Sequence, residues 1–181
     1  MDVAHDAFAS AISGSADQVA LRVTEHYERR GRELWGLARR LGATDEQAAD
    51  VVQEAHLRLW RQLNAGAPID DLDAWVFRVA YRLVMDQHRL GRRVRELVGR
   101  LTDRPQSMTH ALDDALSIWP EVDRLPARER ATLYLRYRAD LSFEQVGHVM
   151  GITTASARTY ASRATERLRV TLTAQEGGPD A

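Results

Sequence analysis

Cysteine and lysine are both absent from this 181-residue chain. Without cysteine there is no disulfide framework, no thiolate metal site and no cysteine nucleophile, a composition compatible with the cytosol. Without lysine, all 25 basic residues are arginine, for which a GC-rich genome is explanation enough. Long apolar runs are missing as well, since none nears the ~20 residues that span a bilayer. The opening MDVAHDAF starts acidic and lacks the basic and apolar segments of a secretion signal. A cytoplasmic protein with no membrane insertion is therefore expected. No stretch sustains two-residue alternation, which argues against strands. Nor is there a Gly-rich phosphate loop, a metal-ligand pair or a nucleophile–base grouping, so no enzyme, no cofactor and no metal are expected. Asp70, Asp71 and Asp73 cluster at a helix start, where capping explains them.

What is present is ordinary globular composition, 44% hydrophobic and 28% charged. The net charge is −1, but residues 70–100 carry +2 and residues 121–172 carry +3, with acidic stretches between and around them. Two separate contact surfaces follow from that distribution. Apolar residues recur at helical spacing almost throughout. The fold expected is all-α: two small helical domains joined by a linker, the C-terminal one a helix-turn-helix.

In order, the pattern gives a weakly patterned N-terminal extension (1–17), an N-terminal domain (18–97), a linker (98–120), a C-terminal domain (121–172) and a disordered tail (173–181). The first helix runs from about Gln18 to Leu41 with Tyr27, Leu34, Ala38 and Leu41 inward, and Gly42 ends it. Thr44 and Gln47 form a capping box for a helix from Asp45 to Leu63. Asp71 caps a third, from Leu72 to about Arg93. Pro126 suits the first turn of a helix ending near Arg138.

The most specific signal is Leu141–Arg169, LSFEQVGHVMGITTASARTYASRATERLR. Ser142 caps Phe143–Met150, Gly151 turns the chain, and Thr153 caps a final helix to about Leu172. That arrangement presents a recognition helix to the major groove. Val146, Val149 and Met150 face inward from the short helix, and Ala157, Ala161, Ala164 and Leu168 from the long one. Gly147 costs about 1 kcal/mol of helix propensity relative to alanine. The outward face offers Thr154, Ala155, Ser156, Arg158, Thr159, Ser162 and Arg163; arginine reads guanine edges or binds phosphate, and the hydroxyls reach either. A plain amphipathic hairpin with solvated arginines fits the pattern too.

On the second helix, Asp50, Gln53, Glu54, Leu57 and Arg61 share one face, while Val52, Ala55, His56, Leu59 and Leu63 lie opposite. A leucine ringed by charges suits a partner surface, although single exposed leucines are common. His56 is expected to be buried and hydrogen-bonded, since no second histidine lies at metal-binding spacing. The third helix has a core stripe of Leu72, Trp75, Val76, Val79, Leu83 and Leu90. Arg78, Arg82, Met85, Arg89 and Arg92 line a cationic face, extended by Arg93. Phe77, Tyr81, Val84 and His88 make a third, partly aromatic face. Arginines beside aromatics suit single-stranded DNA, where bases stack and phosphates need counter-charge; packing against a neighbouring helix is an equal account of Phe77 and Tyr81. Asp86 is expected to pair with Arg82, Arg89 or Arg93.

These strings resemble the bacterial sigma factors of the extracytoplasmic-function group. LPARERATLYLRYRADLSFEQVG and the closing Arg163, Ala164, Leu168 and Arg169 resemble the domain that, in the family, binds the promoter element near minus thirty-five. DVVQEAHLRLW is similar to the segment that grips the clamp helices of RNA polymerase. Ala74, Trp75, Arg78, Ala80, Asp86 and Arg89 match the segment that melts and holds the minus-ten element. By the same analogy the loop Gln62–Asp70 holds a flipped base, with Asn64 at its polar edge. The chain departs from the family at Tyr81-Arg82 (Arg-Asn is common), Val146-Gly147 (Ile-Ala) and Ser156-Ala157 (Thr-Val). The resemblance covers about residues 20–95 and 121–170. It implies RNA polymerase core and promoter DNA, duplex and melted, as partners, and the family often adds an anti-sigma protein that masks these surfaces. Two rivals remain open on the residues alone: a helix-turn-helix regulator that never joins polymerase, and a sigma-like adaptor that reads no promoter.

Overall fold

The computed structural model describes residues 3–98 and 118–176, with side chains placed over 17–91 and 118–174. Seven α-helices occupy them: α1 (Val3–Arg40), α2 (Asp45–Asn64), α3 (Leu72–Val98), α4 (Trp119–Asp123), α5 (Ala127–Leu133), α6 (Phe143–Met150) and α7 (Thr154–Glu176). No strand occurs among the described residues, and the chain is all-α in two helical domains.

The first helix starts well before the expected Gln18, so residues 3–17 are continuous with it rather than a separate extension. Alanines at positions 4, 7, 9, 11 and 16 supply the highest intrinsic helix propensity, which weak amphipathic patterning does not cancel. Leu34, Leu37, Ala38 and Leu41 are buried, but Tyr27 is exposed and His26 takes the interior place instead. The histidine finds buried polar partners on α2 and α3, described below. Gly42 terminates α1 with φ 99°. The capping box follows as expected: Gln47 N donates to Thr44 Oγ1 (3.2 Å), and Thr44 N donates to Gln47 Oε1 (2.9 Å). α2 then packs along α1 through Ala48, Val51, Val52, Ala55, His56 and Leu59.

Asp71 Oδ1 accepts from Ala74 N (2.9 Å) and opens α3. The buried face of α3 is Val76, Phe77, Ala80 and Val84, with His88 Nε2 donating to the Leu41 carbonyl (2.7 Å). The expected core stripe is thus rotated. Phe77 and Val84 lie inside, Trp75, Val79 and Leu83 are half-buried at the border, and Leu90 is 63% exposed. A helix apolar over more than half its circumference gives periodicity no way to choose, and burying the phenyl ring removes more apolar area than burying Leu90.

Helix α4 begins inside the expected linker and belongs with the C-terminal domain; residues 99–117 of that linker lie outside the described residues. α5 passes into a π-helical turn over Tyr134–Arg138, closed by Ala139 N donating to Tyr134 O (3.0 Å), and Asp140 reverses the chain at φ 52°. Ser142 caps α6 through a second reciprocal box, Gly151 ends α6 at φ 66°, and Thr153 Oγ1 accepts from Ser156 N (3.1 Å) at the start of α7. Gly147 has a packing reason: a Cβ there would stand 2.9 Å from the Ile152 carbonyl oxygen, so its absence lets the turn close against α6. α7 continues to Glu176, beyond the expected Leu172, so that its last residues take in the start of the tail expected to be disordered; residues 177–181 of that tail lie outside the described residues.

Ala161, Ala164 and Leu168 pack with Val122, Leu125 and Leu133 in a small core of the C-terminal domain. The larger core runs unbroken from α1, α2 and α3 into Leu135, Leu141, Val146, Val149 and Met150. The two domains therefore meet, and α6 lies against α3.

Candidate nucleic-acid and partner interfaces

On α2 the fold turns one face to solvent. Asp50, Gln53, Leu57 and Arg61 are exposed and Glu54 is half-buried, as a helix packed on α1 through its opposite side requires. Glu54 accepts from Arg58 Nε (2.7 Å), a pair that tempers the acidity of the strip. Trp60, 43% exposed, joins this face beside Leu57 and was missed by the sequence reading. Its position three residues after Leu57 was the available signal. Asn64 is exposed at the end of α2, and its Nδ2 donates to the Trp60 carbonyl (3.0 Å).

The inward side of α2 carries a polar cluster. His56 Nδ1 donates to Val52 O (2.7 Å), which leaves His56 Nε2 to accept from His26 Nδ1 (3.1 Å). His26 Nε2 faces Asp73 Oδ1 at 3.3 Å, and Arg29 and Arg30 donate to the same carboxylate. Burial, aided by the neighbouring His26, holds His56 below its ordinary value against the opposing pull of the Val52 carbonyl. The close approach of His26 first, then the hydrogen bonds and charge of Arg30, hold Asp73 far below the usual carboxylate range despite partial burial. As expected, His56 is a buried, hydrogen-bonded histidine.

The cationic face of α3 is divided. Arg82 and Arg89 are exposed, with Asp86 Oδ1 3.5 Å from Arg89 Nη1. Arg78 is half-buried beneath α6 and donates from Nη1 to His148 Nε2 (3.0 Å). The side chains of Arg92 and Arg93 lie outside the described residues. Phe77 is wholly buried, so it is no stacking platform, and Tyr81 is half-buried with its phenol pushed up by that burial. On α7 the outward face stands clear: Ala155, Arg158, Thr159, Ser162 and Arg163 are exposed, and Thr154 and Ser156 are half-buried at the turn. Arg158 lies over the Phe143 ring (5.9 Å to its centroid), which orients its guanidinium along the surface.

Comparison with known proteins matches each of the two domains to a family model. Residues 26–94 match the Sigma-70 region 2 family model and residues 122–170 match Sigma-70, region 4. Over 169 residues the chain is 32% identical to the ECF RNA polymerase sigma factor SigL of Mycobacterium tuberculosis, covering 89% of this chain and 94% of the relative. The chain belongs to the extracytoplasmic-function sigma factors. It is also 26% identical to SigE of Mycolicibacterium smegmatis, covering 81% of this chain and 58% of that one. Among solved structures, the sigma factor RpoE of Bartonella quintana, in complex with the anti-sigma factor NepR, superposes with a TM-score of 0.68 at 21% identity, over 83% of this chain and 96% of that one. CnrH, in complex with the cytosolic domain of CnrY, gives 0.62 at 20% identity, over 90% and 95%. As a sigma factor the chain binds RNA polymerase and directs promoter-specific initiation; the family is not one of enzymes. Among the described residues no helix is long and apolar enough to cross a membrane.

Proposed function

We propose a division of labour between the three surfaces. The α2 face (Asp50, Gln53, Glu54, Leu57, Trp60 and Arg61) docks on the polymerase clamp. Its partner surface combines an apolar centre with a charged rim, the anatomy of a protein interface. The exposed part of α3 with Arg82 and Arg89, continued by Arg92 and Arg93, holds the melted minus-ten strand, and Arg78 joins it when uncovered. Asn64, at the loop that follows α2, sits where a flipped base would be read. The outward face of α7 reads the minus-thirty-five duplex through Arg158 and Arg163, with Thr154, Ala155, Ser156, Thr159 and Ser162 around them. The protein acts in the cytoplasm without catalysing a reaction of its own, and an anti-sigma protein is the partner expected to cover these surfaces.

One observation carries this reading: exposed basic side chains on α7 and an exposed mixed face on α2 occur in one chain, on separate domains. A pull-down of purified core polymerase followed by run-off transcription from mapped promoters tests it. Core binding with a promoter-dependent transcript is the expected result, and absence of both would refute it. Reversing the charges of Arg158 and Arg163 separates a promoter reader, which loses its transcript, from an adaptor, which keeps its activity.

A further inference from the structure

Three side chains from three elements meet where α6 and α7 join. The Cζ of Arg158, on α7, lies 5.9 Å from the centroid of the Phe143 ring, and that of Arg136, in the π-helical turn, lies 5.6 Å from the same ring. Arg136 is also 5.6 Å from the ring of Tyr137, which is 63% exposed. Phe143 is set firmly. It is the first residue of α6, its backbone is fixed by the Ser142–Gln145 capping box (2.6 and 3.2 Å), and its half-buried ring packs on the small core of the C-terminal domain. Arg136 is held as well, since its Nη1 donates to the Leu141 carbonyl and to Asp140 Oδ1, both at 3.4 Å. The turn that carries it is anchored at its start, where Tyr134 donates its hydroxyl to the Glu33 carbonyl on α1 (3.0 Å) in the space left by Gly36, at which any Cβ would collide with that hydroxyl. Each guanidinium–ring contact at an exposed site favours the held rotamer roughly two- to fivefold.

Two cations against one ring repel each other, and the protein does little to neutralise them. Arg158 has no ion-pair partner among the described residues, and Arg136 has only Asp140, itself 91% exposed. An anion between the two would relieve the repulsion. Their place on the fold says which anion. Arg158 follows the inward-facing Ala157 by one residue, about 100° round the helix, whereas Ala155, Thr159 and Ser162 lie opposite that inward face. A recognition helix enters the groove by its outward side, while the helix before it crosses the sugar-phosphate backbone. The seam between α6 and α7 is therefore the backbone side of the motif. We propose that Phe143 is a positioning residue, which holds Arg158 and Arg136 together as a clamp on backbone phosphates. Arg158 is thereby committed to the backbone, and base discrimination falls to Thr159, Ser162 and Arg163. This rests on the reading of α7 as the duplex-binding helix, and it adds Arg136 and Phe143 to that surface.

The test uses holoenzyme assembled with core polymerase, a fluorescent duplex carrying the upstream element of a promoter mapped by run-off transcription, and a second duplex with that element permuted. Anisotropy across a salt series gives the affinity for each duplex and its salt slope. Arg136→Gln and Arg158→Gln should each lower the slope by about 1 and weaken both duplexes by the same factor, leaving the preference for the mapped duplex unchanged. Phe143→Leu keeps the apolar packing and both charges but removes the aromatic face, so it should weaken both duplexes roughly 4- to 25-fold. Phe143→Tyr, which retains that face, should bind like the parent. In a background carrying both Arg136→Gln and Arg158→Gln, adding Phe143→Leu should cost no more than about twofold, because the groups it positions are gone. A purely packing role would give the full loss in that background and would overturn the proposal. So would an Arg158→Gln variant that loses the preference for the mapped duplex, or an unchanged salt slope in Arg136→Gln. A parent holoenzyme with equal affinity for the two duplexes would refute the reading of α7 itself, whereas such failures on a parent that does discriminate refute only the clamp.

Discussion

His26 Nδ1 and His56 Nε2 lie 3.1 Å apart in the interior of the N-terminal domain, thirty residues apart in sequence, and the pair ties α1 to α2 at the point where α3 begins. The Val52 carbonyl fixes the His56 tautomer from one side, and Asp73 and its two arginines close the chain of contacts on the other.

Acid should therefore weaken the fold in two stages. His56 is held below its ordinary value in the folded protein, so its neutral form stabilises the fold above the unfolded value near 6.5, and stability falls as pH drops below it. Asp73 is also depressed, so its contribution is complete above the unfolded value near 3.8 and is lost as pH falls further. Urea midpoints measured from pH 8 to pH 3 should fall through both windows, at up to about 1.4 kcal/mol per pH unit for each proton taken up. His56→Gln should flatten the upper stage alone; an unchanged profile would refute the assignment.

Trp60→Ala should weaken binding to core polymerase roughly 30-fold, the effect of removing an aromatic hot spot worth about 2 kcal/mol. Since Trp60 is 43% exposed, thermal stability should shift by less than a core truncation would cause. A titration of labelled variant into core enzyme, with a melting curve alongside, distinguishes lost contact from lost fold.

Arg158→Glu combined with Arg163→Glu should abolish promoter-duplex binding while core binding persists, because both side chains are exposed on α7. If either arginine contacts phosphate rather than a base, its single neutral variant should reduce the slope of log affinity against log salt by about 1. Fluorescence anisotropy across a salt series gives that slope.

Ala164→Leu should destabilise the C-terminal domain by about 1–3 kcal/mol, since Ala164 is fully buried between α7 and the helices that precede it. Guanidinium unfolding should show the loss, and duplex binding should weaken only in proportion to the unfolded fraction.

The helix boundaries set by local chemistry were readable in advance. Thr44, Ser142 and Thr153 cap, Gly42 and Gly151 terminate, and Asp71 opens α3, because each acts on backbone groups within a few residues of itself. The exposed strip on α2 was readable for the same reason: a helix with one strongly apolar side has only one side left. Where several sides were apolar the pattern failed. On α3 it left Phe77 open between a stacking face and packing and placed Leu90 inside, and on α1 it preferred Tyr27 to His26. Those choices depend on which partner sits opposite, and His26 is worth burying only because His56 and Asp73 are there.

By itself, then, the sequence determined the class of fold, the helix ends and the face of each singly amphipathic helix, all of which follow from contacts close along the chain. The tertiary structure decided which side of α3 is core, why Gly36 and Gly147 must lack a side chain, and that Arg78 lies under α6 rather than in solvent. Each of these is a meeting of residues far apart in sequence, whose geometry is set by packing and not by any local preference.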